Sequence, residues 1–230
     1  MNALHLSIGE PFTSPAWGAN FVVFSGSGSE IVSEDFVKDY LAKACRYAKH
    51  HRIYLVPERF MLKEYHSMCL ISPEGNVMGA QKAAFQNLTS KRGKRSSQIE
   101  VLKTEFGSVF LCVDVDIYHP EVPRIAQAMG TAYMICSQFI QIGDYNTGMV
   151  TSGVWSAAQS CGMFVIGVSN QFNCVCAPRR LTPNDDGFIV TPRMKMPIRA
   201  DMRAEQLARL PERDYLPRKF YNVHKDDIRG

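Results

Sequence analysis

Two carboxylates, Asp114 and Asp116, directly follow the apolar run Val109 to Val113, and Cys112 lies two residues before the first of them. If the strand persists that far, period-two alternation puts Cys112, Asp114 and Asp116 on one face. Three side chains able to act as nucleophile, base or metal ligand would then project together. The chain next passes Pro120 and enters Glu121 to Met129, whose pattern reads as a helix. A strand that delivers polar groups where a helix begins is a common seat of chemistry in α/β proteins. The plainer reading of the same residues is a strand end whose acids cap the following helix.

The elements that must position these groups follow from pattern. Ala3 to Ile8 and Ala19 to Phe24 read as strands joined by the Pro-containing connector Gly9 to Gly18. Ser33-Glu34-Asp35 opens a helix with an N-cap and first-turn acids, and Lys49-His50-His51-Arg52 closes it with positive charge. Its apolar face is expected to be Phe36, Val37, Tyr40, Leu41, Ala44, Cys45, Tyr47 and Ala48. Ile53 to Val56 is a third strand, ending at Pro57-Glu58. Glu64 to Ser72 and Val77 to Lys82, around Pro73-Glu74-Gly75-Asn76, make a hairpin. Ile99 to Thr104 pairs with the central run through the turn Glu105-Phe106-Gly107. Later strands are expected at Ala132 to Ser137, Met163 to Asn170, Cys174 to Leu181, Phe188 to Thr191 and Ile198 to Met202. Helices are expected at Val154 to Gly162 and Ala204 to Leu210, and a loop at Asp144 to Gly153.

Composition bounds the classes. The chain has 230 residues, 46% hydrophobic and 21% charged, which fits one large globular domain and excludes disordered and fibrous classes. A formal charge of +4 is too weak to imply nucleic acid. The basic stretch Lys91 to Arg95 reads as a solvated loop, and Ser25 to Ser29 lacks the spacing of a phosphate-binding fingerprint. No apolar run reaches membrane-spanning length, so the expectation is a soluble cytoplasmic protein. The seven cysteines lie in apolar or helical segments without a disulfide or zinc spacing, and no metal or cofactor is expected. Residues from about 211 read as an extended C-terminal arm on a single domain spanning 1–230.

Several blocks, in order, resemble the nitrilase (carbon–nitrogen hydrolase) superfamily over about residues 17 to 210. Gly18 to Phe24 is similar to that family's strand leading to its first catalytic Glu. Ile71-Ser72-Pro73-Glu74-Gly75-Asn76-Val77-Met78-Gly79 resembles its hairpin, after which the catalytic Lys is best matched by Lys82. Asp116-Ile117-Tyr118-His119-Pro120-Glu121-Val122-Pro123-Arg124 resembles its nucleophile elbow. Trp155, Gly162 to Asn170, Asp186-Gly187 and Ala200 to Leu207 match later features. The resemblance implies a four-layer α-β-β-α sandwich, a homo-oligomer, and elbow support from Asp116, Glu121 and Arg124.

The departures concern the chemistry. The family's nucleophile is a Cys where this chain has Asp114, and its first Glu falls at Ser25-Gly26. The thiolate attacks an electrophilic carbon and gives a thioester that water hydrolyses, a route a carboxylate does not share. Cys112 lies roughly 6.5 Å deeper in the strand and reads as a core thiol. The expectation is therefore a nitrilase-like protein without classical activity, binding a small molecule or assembling, with Asp114 paired to Lys82. The alternative is a repurposed carbon–nitrogen enzyme with Asp114 and Lys82 as acid/base groups and Glu58 replacing the missing Glu. Asp114-Val115-Asp116 is also similar to the haloacid-dehalogenase phosphotransfer motif, but that family expects Thr or Val where Tyr118 stands.

Overall fold

The computed structural model describes residues 2–26, 33–85, 93–140, 145–193 and 197–210. Most of the Ser/Gly loop after Gly26, the first part of the basic loop and the arm from 211 lie outside them. One sheet is built from β1 (Leu4–Gly9), β2 (Phe21–Phe24), β3 (Tyr54–Val56), β4 (Phe60–Leu62), β5 (Tyr65–Ile71), β6 (Val77–Lys82) and β13 (Ile198–Met202). The other holds β7 (Val101–Thr104), β8 (Gly107–Val113), β9 (Tyr133–Gln138), β10 (Phe164–Ser169), β11 (Asn173–Cys176) and β12 (Phe188–Arg193). The first runs β13-β1-β2-β3-β5-β4, with β6 also on β5; the second runs β12-β11-β10-β9-β8-β7. At the centre of each, three neighbouring strands are parallel, β1-β2-β3 and β8-β9-β10.

Alternation along these strands explains the layering. Leu6, Ile8, Phe21 and Val23 face Val109, Leu111, Val113, Ile135 and Ile166 between the sheets. The opposite parity, Val22, Phe24 and Leu55, packs on Val37, Ala44 and Ala48 of α1 (Glu34–His51). On the other side Phe110, Cys112, Met134 and Cys136 meet α2 (Glu121–Ala128) and α4 (Ser156–Cys161) through Val122, Ala126 and Ala158. Helix, sheet, sheet, helix is thus dictated by strands buried on both faces. Ser33 stands at the N-cap of α1 and Arg52 closes it in the left-handed conformation. Gly75, at φ +82, turns the β5–β6 hairpin where an added Cβ would lie 2.7 Å from the Cys45 carbonyl oxygen.

Several expectations are corrected. Phe36 is 73% exposed, because only Val37, Ala44 and Ala48 of α1 are buried. The segment expected as loop up to Gly153 contains α3 (Thr147–Val150), capped by the Asn146 side chain, and a π-helical stretch Thr151–Trp155 leading into α4. Its small polar residues hide the helical period, although Val150 and Val154, one turn apart, are buried. The strand at Cys174 ends at Cys176, and a 3-10 turn takes Arg179–Leu181. A short strand, β4, lies between Glu58 and the hairpin, where the pattern marks no element, and the helix after β13 is 3-10, over Ala204–Arg209. All seven cysteines are free thiols.

Candidate functional site

Strand β8 stops at Val113, and the chain turns at once into a 3-10 helix, Asp114–Tyr118. Asp114 makes the turn with φ 52, a left-handed conformation that Asp tolerates better than most residues. A side chain displayed on such a strand-to-helix corner is the geometry of a nucleophile elbow. The turn also ends the alternation, so Cys112, Asp114 and Asp116 do not share one face. Cys112 faces the α2–α4 layer, fully buried. Burial first, then its contact with Cys136, pushes its thiol well above the ordinary range.

Asp114 is buried and is held from two directions. Its Oδ1 accepts the Phe139 N–H at 3.2 Å, just past the end of β9. Its Oδ2 lies 3.0 Å from Nη1 of Arg59, which sits between β3 and β4 on the opposite sheet. The pair therefore bridges the two sheets at one edge, where the parallel strands of both end. The Arg59 guanidinium also lies 5.2 Å from the centroid of the Phe139 ring. By distance this is an ion pair, but Nη1 has no aligned hydrogen bond among the described residues. Distance measures the Coulombic contact and alignment the hydrogen bond; the first is made here and the second is not.

The expected partner lies elsewhere. Gln81 is buried on the side of β6 that faces between the sheets, paired with Met68, whereas Lys82 pairs with Ser67 and is exposed. Its ammonium stands 4.5 Å over the Tyr65 ring. One residue of register decides the face of a strand residue, and it sends Lys82 away from Asp114. Glu58, next to Arg59, turns toward α1: Tyr40 Oη accepts the Glu58 N–H at 3.0 Å and is 3.5 Å from its Oε2. The two acid/base partners proposed for Asp114 are thus held by other contacts.

Asp116 is the residue that supports the elbow. It is 1% exposed, and its Oδ1 accepts the Phe85 N–H at 2.8 Å and the Ala84 N–H at 3.1 Å. Its Oδ2 takes the Ala84 N–H at 2.9 Å as well. Burial pushes its carboxyl up to about 6; the two amides pull it down and Asp114 pushes it further up. Glu121 and Arg124, expected beside it, lie on the exposed stripe of α2, whose buried residues are Val122, Pro123 and Ala126. Glu121 lies 3.8 Å from His119.

Residues that sequence reasoning missed complete the edge. Tyr118 accepts the Gln138 side-chain N–H at 2.8 Å and packs beside Gly153, where an added Cβ would lie 3.0 Å from the ring. Asn170 bonds both backbone groups of Ile140, at 2.8 and 2.7 Å, tying the ends of β9 and β10. Gly26, at the end of β2, faces them closely: a Cβ there would stand 3.2 Å from Asn170 N and 3.3 Å from Ser169 C. The only available signal for Arg59 was its place after a strand-ending Pro57-Glu58. Three surface cavities, of about 360, 210 and 420 Å³, lie elsewhere, and none of the three is lined by Asp114, Arg59, Glu58 or Lys82.

No protein-family model matches the chain, and no curated relative does. Solved structures are similar over nearly its whole length. A mutant of the Nesterenkonia AN1 amidase from the nitrilase superfamily superposes with TM-score 0.72 at 14% identity, covering 97% of this chain and 96% of that one. A carbon–nitrogen hydrolase from Helicobacter pylori G27 gives 0.75 at 13% identity, over 96% and 97%. A further mutant of the Nesterenkonia amidase, showing covalent addition of the acetamide moiety of fluoroacetamide at the active site cysteine, gives 0.69 at 13%, over 96% of each. Two sheets packed face to face between helices, matched over nearly the whole chain by these molecules, are the fold of the nitrilase (carbon–nitrogen hydrolase) superfamily.

Proposed function

We propose that this chain keeps the nitrilase fold without its cysteine-dependent hydrolysis and acts by binding a small molecule or by assembly. The observation that carries this reading is Asp114 at the elbow, held by Arg59 and the Phe139 N–H. The Nesterenkonia amidase takes up an acetamide moiety on an active site cysteine. Here six of the seven cysteines are buried, and the seventh, Cys45, lies partly buried on α1. Burial pushes Cys45, Cys69, Cys112 and Cys161 upward, and Cys176 rises through its contact with Cys174 and burial. A thiol so shifted is a poor source of thiolate at neutral pH. Gly26 adds to the case, since a Glu side chain there would press on backbone. The alternative, with Asp114 and Lys82 as acid/base groups, has the outward turn of Lys82 against it.

Assembly as a homo-oligomer is part of the proposal. Ile125 and Met129, one turn apart at the end of α2, are 48% and 50% exposed, and such exposed apolar positions suit a contact between copies. No helix among the described residues is long and apolar enough to cross a membrane. Free thiols throughout suit a reducing compartment such as the cytoplasm. The test is a panel of small amides and nitriles, followed by product assay and intact-mass analysis. No turnover and no acyl adduct are expected. A cysteine adduct that forms and decays with turnover would refute the reading, and light scattering reads the oligomeric state.

A further inference from the structure

We propose, resting on the binding reading above, that Arg59 and the Phe139 N–H form a site for a small-molecule carboxylate, and that the Asp114 side chain occupies it as an internal competitor. Three features of one contact lead there. The Arg59 Nη1 atom is buried and 3.0 Å from Oδ2, yet its N–H directions find no aligned acceptor among the described residues. Buried donors are nearly always satisfied, so this one has unused capacity. The Phe139 N–H reaches Oδ1 at 3.2 Å, the long end of the range for such bonds. Asp114 also sits at φ 52, which disfavours a residue with a Cβ.

A single cause accounts for the first two. The Asp side chain is short and tethered to the elbow, so it cannot set both oxygens squarely on the guanidinium fork and the amide together. A free carboxylate is untethered and can take the paired geometry that guanidinium favours. The Phe139 ring lies over the guanidinium, its centroid 5.2 Å from the central carbon, while Nη1 keeps donor capacity for the ligand. The neighbouring acids do not compete: Asp116 is engaged by Ala84 and Phe85, and Glu58 is held at Tyr40. With Asp114 displaced the site carries one positive charge, which selects a monoanion.

Asp114→Gly is the decisive variant, since Gly accepts the left-handed turn and removes the competitor. The probes are sodium acetate and sodium propionate against sodium chloride at equal ionic strength, read on the full chain by thermal melting and titration calorimetry. Acetate should bind the variant about tenfold more tightly than wild type, the penalty of a competitor that leaves the site open about a tenth of the time. It should also raise the variant's melting temperature where chloride does not, and Arg59→Gln added to Asp114→Gly should abolish the rise. Indifference of Asp114→Gly to both carboxylates, or an equal response in the double variant, overturns the proposal. Asp114→Ala, which also removes both oxygens, is read the same way if the Gly variant does not fold. Failure of both to fold in acetate, which should replace the lost charge, also counts against it. Amide turnover together with acetate binding would sink only the loss of hydrolysis; no turnover and no acetate binding would sink only the carboxylate site.

Discussion

Replacing Asp116 by Ala removes the acceptor for two buried backbone amides, those of Ala84 and Phe85, and so unpins the end of the β5–β6 hairpin from the elbow. Each orphaned amide costs about 1–3 kcal/mol, which puts a ceiling of about 6 kcal/mol on the loss. An opposing effect comes from charge. The carboxyl is raised from 3.8 to about 6, chiefly by burial. At neutral pH the folded state thus carries a buried charge that costs about 3 kcal/mol relative to the protonated form. Two amides cost about 2–6 kcal/mol and the Ala variant is relieved of about 3, so its net loss at pH 7.5 should be no more than about 3 kcal/mol. The sign with pH follows from linkage. A carboxyl whose folded pKa lies above its unfolded value contributes stability at low pH that is lost as pH rises from about 4 through about 6. Wild type therefore gains on acidification and the variant does not, so the deficit should grow by about 2 kcal/mol between pH 7.5 and 4.5. Asp116→Asn keeps an oxygen at the Oδ1 position, which accepts both amides, and should lose less than Ala at either pH. Urea unfolding at the two pH values measures all of this. An unchanged midpoint for Ala at pH 4.5, or a deficit larger at pH 7.5 than at 4.5, would refute the reasoning.

Arg59→Met strands the Asp114 carboxylate in a buried setting and should cost about 3–5 kcal/mol by chemical denaturation. Adding Asp114→Asn should recover much of that loss, and strict additivity of the two changes would count against the pair. Asp114→Cys places a thiol beside the Arg59 guanidinium, so it should alkylate with iodoacetamide faster than the native buried cysteines. It should still fail to hydrolyse amides, since Gly26 offers no base, and robust turnover would show that another carboxylate serves. Lys82→Ala, on the exposed face of β6, should change stability by about 0.5–1 kcal/mol at most through its contact with Tyr65, and a larger loss in the melting curve would contradict its outward placement.

Much of the frame was legible from local pattern. The β5–β6 hairpin follows from two runs of strand character around Pro73 and Gly75, and α1 from its first-turn acids and basic end. The apolar run up to Val113 announces a strand buried on both faces. These are properties of residues a few positions apart, so sequence spacing reports them directly. Partner choice is different. Asp114 and Arg59 are far apart in sequence and meet only because the parallel strands of two sheets end at the same edge, and nothing local marks Arg59 for that meeting. Lys82 and Gln81 differ by one position, and pairing with Ser67 and Met68 decides which enters the space between the sheets. The left-handed turn at Asp114 ends an alternation that the sequence alone would continue to Asp116. The turn chemistry, caps and strand interiors were the sequence's own; which charge neutralises which was left to tertiary packing, because a buried ion must take whichever counter-ion the packed layers bring within reach.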